Sequence, residues 1–180
     1  MSKILVSIHN DDAALFAAFT CLRERPLVVV VFDGYNQAAR GLPVTWQQRR
    51  EEDTAALREL GCYVEFLAFP DDVPVQAQAV TAAIQNFGPT EVWAPARETD
   101  GHPQHNLVAV ACDSLPVIDR YLTYTGAGKS TSGRPVEILD GEWIAKKLRA
   151  LSCYRSQMNL DPRMGCVAHF CRGLYEYYAE

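Results

Sequence analysis

The sequence predicts an α/β fold, a Rossmann-like three-layer arrangement around a mostly parallel sheet. Strand-like and helix-like segments alternate over the first two-thirds of the chain, which is the mark of successive βαβ units. The run Leu27 to Phe32 is continuously apolar and rich in β-branched residues, as expected of a strand buried on both faces. A third observation places a site on that sheet. Two polar tetrads, His9-Asn10-Asp11-Asp12 and His102-Pro103-Gln104-His105, each follow a strand-like run and together hold three of the four histidines. In a parallel sheet both would project from the carboxyl edge, where open α/β folds bind ligands.

The elements follow in order. Ile4 to Ile8 opens the series as a strand, and Ala13 to Arg25 carries apolar residues at helical spacing. Leu27 to Phe32 is the second strand, ended by Asp33-Gly34. Thr45-Trp46-Gln47-Gln48 has the form of a capping box and Gly61 follows Leu60, so a helix is expected from about Trp46 to Leu60. Tyr63 to Phe66 is the third strand, and Val75 to Phe87 a helix stopped by Gly88-Pro89. Glu91 to Ala94 is the fourth strand, and Asn106 to Asp113 a short helix after the second tetrad. Beyond Pro116 the rhythm changes to strands at Arg120 to Tyr124 and Val136 to Leu139. Two closing helices are then expected, one after Asp140-Gly141 and one from Asp161-Pro162.

The 180 residues fit a single domain, with the motif-bearing core over about 1–115 and the closing strands and helices over 116–180. A hydrophobic fraction of 48% and a charged fraction of 22% are those of a folded globular chain. The net charge of −5 and the absence of an uninterrupted basic cluster argue against a nucleic-acid partner. No apolar stretch approaches a membrane span and no signal peptide opens the chain, so a cytoplasmic protein with a small-molecule partner is expected. Six scattered cysteines without a CxxC pair read as reduced core thiols. Cys166, His169 and Cys171 lie close together, but a structural zinc site needs four ligands and no second pair exists.

Hydrolytic zinc is commonly held by two histidines and a carboxylate, with one position left open. His9, Asp12 and His105 supply that set, and ferrous iron would accept the same donors. Asp11 and His102 remain beside it. A carboxylate can take a proton from the attacking water, and an imidazolium can protonate a departing nitrogen or hold an oxyanion, so these two fit the base and the acid. The plainer account has Asn10, Asp11 and Asp12 capping the next helix, which leaves His9 unexplained.

The two tetrads resemble those of the PIG-L (LmbE-like) family of zinc-dependent N-acetylglucosaminyl deacetylases, His-Pro-Asp-Asp-Glu and His-Pro-Asp-His. Other matches are Asp33-Gly34, Arg49 and Glu52, Leu60-Gly61 and Phe69-Pro70-Asp71, with a weaker echo at Lys147 to Gln157. The resemblance implies that His9, Asp12 and His105 bind the metal, that Asp11 is the base and that His102 is the acid or oxyanion stabiliser. Asn10, Ala13 and Gln104 depart from the motifs without removing a proposed ligand. The expected activity is removal of an N-acetyl group from an amino sugar or conjugate. The alternatives are a deacylase of another small amide, or a catalytically weak relative that binds a sugar-like ligand or a partner. The chain is short for the family, so the substrate rim is expected to be pared down or completed by a second copy in a homo-oligomer.

Three further residues are weaker substrate-binding candidates. Arg49, on a helix, is commonly an exposed charge but could reach a substrate hydroxyl or phosphate. Asp33 either shapes the site or forms a turn with Gly34, and Asp100, with Glu98, stands in the loop before His102. Gly126-Ala127-Gly128-Lys129-Ser130-Thr131 resembles the end of a phosphate-binding loop, but Thr123 stands where the first glycine is required, so a rim loop is expected instead. Tyr175, Tyr177 and Tyr178 are expected to cover the core, in a helical run.

Overall fold

A computed structural model describes residues 2–33, 44–70, 73–97, 102–123, 133–158 and 176–179. They form a seven-stranded sheet of order β3-β2-β1-β4-β5-β7-β6. The strands are β1 (Ser2–Ser7), β2 (Leu27–Phe32), β3 (Tyr63–Phe69), β4 (Pro89–Pro95), β5 (Val117–Tyr121), β6 (Gly133–Pro135) and β7 (Tyr177–Ala179). The first five run parallel, and β7 pairs antiparallel with both β5 and β6. Chain order reverses between β1 and β4, which register as Ile4 with Val92 and Leu5 with Trp93. That is the switch point where open α/β sheets form a crevice. β2 is buried from Val28 to Phe32, as its apolar run requires, whereas the edge strand β3 leaves Tyr63 85% exposed.

The helices are α1 (Asp12–Phe16), α2 (Ala18–Glu24), α3 (Trp46–Glu59), α4 (Ala77–Gln85), α5 (Pro103–Ala111), α6 (Gly141–Ser152) and α7 (Arg155–Met158), with a short 3₁₀ turn at Cys112–Ser114. α3 packs on α6 and α4 on α5. The cap of α3 is as its sequence requires. Thr45 Oγ1 accepts from the Gln48 amide at 3.1 Å, and Gly61 takes a φ of +76° just past the helix end.

Four expectations are corrected. The helix expected over Ala13 to Arg25 is broken at Ala17, whose φ and ψ are −140° and 21°. In an unbroken helix the Phe19 amide would donate to the Leu15 carbonyl. Here Lys147 Nζ donates to Leu15 O at 2.8 Å and Glu176 Oε2 accepts from the Phe19 amide at 2.9 Å. Lys147 and Glu176 are themselves paired at 2.6 Å, so a buried ion pair occupies that gap in the helix ladder. Second, Tyr177–Ala179 is a strand rather than part of a helical run. The Tyr178 hydroxyl bonds Thr20 Oγ1 at 2.7 Å, which ties the last strand to α2. Third, the strand expected at Val136 to Leu139 lies earlier, at Gly133–Pro135, because the backbone pairing partner is β7. Fourth, β5 begins and ends about three residues before the expected Arg120 to Tyr124. The helix expected from Asp161 lies outside the described residues.

Candidate metal centre

The first tetrad is a turn closed by its own side chains. Ser7, the last residue of β1, donates its hydroxyl to the His9 carbonyl at 2.8 Å and accepts from the Ala13 amide at 3.1 Å. Asp12 Oδ2 accepts from the His9 amide at 2.8 Å and lies 3.1 Å from His9 Nδ1. Asp11 occupies the N-cap of α1 but makes no side-chain capping bond. Its carboxylate instead faces Arg49 Nη2 at 3.3 Å, so the capping account does not explain it.

The second tetrad starts α5 earlier than the expected Asn106. His102 is the N-cap, its Nδ1 accepting from the Gln104 amide at 3.3 Å, and Pro103 occupies the first turn. His105 therefore sits on the helix, buried, with Nδ1 3.1 Å from Thr123 Oγ1 and Nε2 3.6 Å from Asp12 Oδ2. Gln104 Oε1 bonds His9 Nε2 at 2.9 Å and joins the two tetrads.

His9, His102 and His105 bring donor atoms within 4.8 Å of one another, and Asp12 Oδ2 touches two of the three rings. This donor set fits a divalent cation, since imidazoles and one carboxylate suit zinc or ferrous iron. The electrostatics of two of the rings differ: His105 is ready to ligate, whereas His9 holds a proton that a cation must displace. Burial lowers the His105 pKa to about 4, so its ring is neutral at neutral pH. Burial also opposes charge on His9, but the hydrogen bond and charge of Asp12, with Gln104, raise its pKa to about 9. Burial disfavours the Asp12 anion, yet the neighbouring His105 and His9 hold its pKa below the usual range. A cation taking His9 Nδ1 must displace a proton there, while Gln104 can retain the one on Nε2.

The weaker candidates fare differently. Arg49 is not an exposed helix charge: it is 2% exposed, paired with Asp11 and 3.7 Å from Glu52 Oε2, with its guanidinium over the Tyr154 ring. Asp33 is buried and bonded to Arg50, whose Nε donates at 2.7 Å and which stacks on Trp46 and Phe66. Asp100, Glu98, Gly34, the Gly126 to Thr131 segment and Cys166, His169 and Cys171 lie outside the described residues. Sequence reasoning missed Thr123, Asp53 and Tyr154, and treated Gln104 only as a departure from a motif. Of these only Gln104 carried a local signal, its place between the two histidines.

The family model described as GlcNAc-PI de-N-acetylase, PIG-L, matches residues 4–115, the span that holds both tetrads. The chain belongs to this family. Among solved structures it is similar to a conserved protein of Thermus thermophilus, with 22% identity, a TM-score of 0.70, and 100% of this chain and 94% of that one covered. It is also similar to the N,N'-diacetylchitobiose deacetylase of Pyrococcus horikoshii, with 20% identity, a TM-score of 0.64, and 98% and 82% covered. A third likeness is to the 4-carboxy-2-hydroxymuconate hydratase GalB of Pseudomonas putida, with 18% identity, a TM-score of 0.65, and 96% and 84% covered. Comparison with curated proteins returns no match. At these identities the structural likeness concerns the fold, and one such fold carries more than one chemistry.

Proposed function

We propose that this chain is a metal-dependent amide hydrolase that removes the acetyl group from an N-acetylated amino sugar or sugar conjugate. The observation that carries the reading is the meeting of the two tetrads, from the ends of neighbouring β1 and β4, with three histidine donor atoms within 4.8 Å. Membership of the PIG-L family supports the same reaction class.

His9, Asp12 and His105 would hold the cation, zinc by preference. When bound, such a cation supplies a Lewis acid that polarises an amide carbonyl and acidifies water. Asp11 takes the proton of the attacking water, and Arg49 holds its carboxylate in place. His102 stands at the rim, where its Nε2–H can stabilise the oxyanion; charged at the expense of the bond that Nδ1 accepts from the Gln104 amide, the ring can give a proton to the leaving amine. Gln104 and Thr123 orient the His9 and His105 rings. Among the described residues no helix is long and apolar enough to cross a membrane. A small-molecule substrate and a cytoplasmic location are part of the proposal.

The test is release of primary amine from N-acetylglucosamine conjugates by zinc-loaded protein, with and without a chelator. Release that stops with chelator and in Asp11→Asn supports the reading. Full activity in Asp11→Asn removes the base assignment, and hydration of an unsaturated acid without amine release would place the chain with the hydratase instead.

A further inference from the structure

Beneath the first tetrad, the Tyr154 hydroxyl lies 3.0 Å from the Asn10 carbonyl oxygen and 2.6 Å from Asp53 Oδ1. Tyr154 and Asp53 are both fully buried. A phenol has one proton to donate and a backbone carbonyl has none. With Asp53 ionised, that single proton would serve two acceptors, and one contact would set oxygen against oxygen with nothing between. A neutral carboxyl closes the count: Asp53 donates to the Tyr154 oxygen, and Tyr154 donates to Asn10.

The charges around Asp53 agree. Arg49, one turn earlier on α3, gives its contacts to Asp11 and Glu52, and among the described residues no cation forms an ion pair with Asp53. Asp11 and Asp12 face it from the tetrad and Tyr154 from the stretch between α6 and α7. Burial is the largest influence and pushes the carboxyl well above its usual range, aided by Asp11 and Asp12 and opposed by Tyr154 and Arg49. Asp53 Oδ2 has no hydrogen-bond partner among the described residues, which costs less for the carbonyl oxygen of an acid than for half of a carboxylate. The Asn10 side chain likewise has no partner there, so its backbone carbonyl is the atom that anchors this residue.

We propose that Asp53 is carried as a neutral carboxylic acid and, through Tyr154, is a positioning residue that fixes the Asn10 carbonyl and so the turn presenting His9 and Asp12. The positioning half rests on the metal-centre reading above; the proton does not.

Two measurements on the full chain test it. Infrared spectra of protein labelled with ¹³C-carboxyl aspartate at pH 8 are expected to show a protonated-carboxyl band that is absent in Asp53→Asn. Absence of that band in wild type overturns the proposal. Titration with zinc alone is expected to show affinity about 10- to 100-fold weaker in Asp53→Ala and Tyr154→Phe, and restored in Asp53→Asn, whose amide can still donate to Tyr154. Asp53→Asn as weak as Asp53→Ala, or Tyr154→Phe as tight as wild type, overturns the positioning role. Tyr154→Phe removes one oxygen only and keeps the test decisive if Asp53→Ala does not fold.

The pH dependence adds a further check. Folding raises this carboxyl, so the folded chain keeps a proton that the unfolded chain releases above about pH 4. Stability therefore falls as pH rises from there through the folded value, and Asp53→Asn is expected to remove that slope. Should wild type bind no zinc, the metal-centre reading and the positioning role fall together, while the band and the slope still decide the proton.

Discussion

Two buried charged clusters flank α1, and they are built to different standards. In the Lys147–Glu176 pair the ammonium has two acceptors and both Glu176 oxygens are bonded, one to Lys147 and one to the Phe19 amide. The cluster under the first tetrad is less complete. Arg49 Nε and Nη1, Asp53 Oδ2 and the Asn10 amide have no hydrogen-bond partner among the described residues. Buried polar groups are nearly always bonded, and a concentration of exceptions marks stored strain or a place for water or ligand. The first cluster is fully bonded within the fold, whereas the second, beside the residues proposed to act in the site, carries unbonded buried groups at some cost in stability.

Breaking each cluster separates these roles. The largest effect is expected for Asp11→Asn, a kcat fall of about 10²- to 10⁴-fold for loss of a general base, read as amine release by folded, zinc-loaded protein. Lys147→Met leaves Glu176 buried and unpaired, where burial already pushes its carboxyl up against the pull of Lys147. Urea denaturation is expected to show a loss of about 3–5 kcal/mol, much of it recovered when Glu176→Gln is added. If the single variant is as stable as wild type, the contrast between the clusters fails. Gln104→Ala removes the bond to His9 Nε2 and is expected to weaken zinc binding by about 10-fold with little change in melting. The smallest effect is for Thr20→Val, which removes one bond to Tyr178 and is expected to cost about 1 kcal/mol of stability with zinc affinity untouched.

The parts legible in the sequence are those whose cause is local. The first four parallel strands follow from apolar runs, and α3 starts at its Thr45 cap and stops before Gly61 because both signals lie in the segment itself. The histidines and aspartates of the tetrads stood out because few other chemistries need those residues after a strand. The break at Ala17 was hidden because its cause, Glu176, lies 157 residues from Phe19. β7 was hidden because three residues are too few to show a period of two, and its partners are set by tertiary pairing. Arg49 and Asp53 occupy helix positions where charge is usually solvated, and only the packing of α3 against α6 and the tetrad shows that both are buried.

The missing Leu15–Phe19 hydrogen bond has a consequence for synthesis. A ribosome delivers residues 12–24 long before residue 176, and a chain without Glu176 has no carboxylate to take the Phe19 amide. The nascent segment is then expected to run as one straight helix from the tetrad, with α2 pointing where the finished protein does not allow it. Bending it waits for residue 176, so a carboxylate translated long after the first tetrad sets the direction in which α2 leaves α1. Protease sensitivity of stalled nascent chains, compared just before and well after residue 176 has cleared the exit tunnel, would show that turn being made.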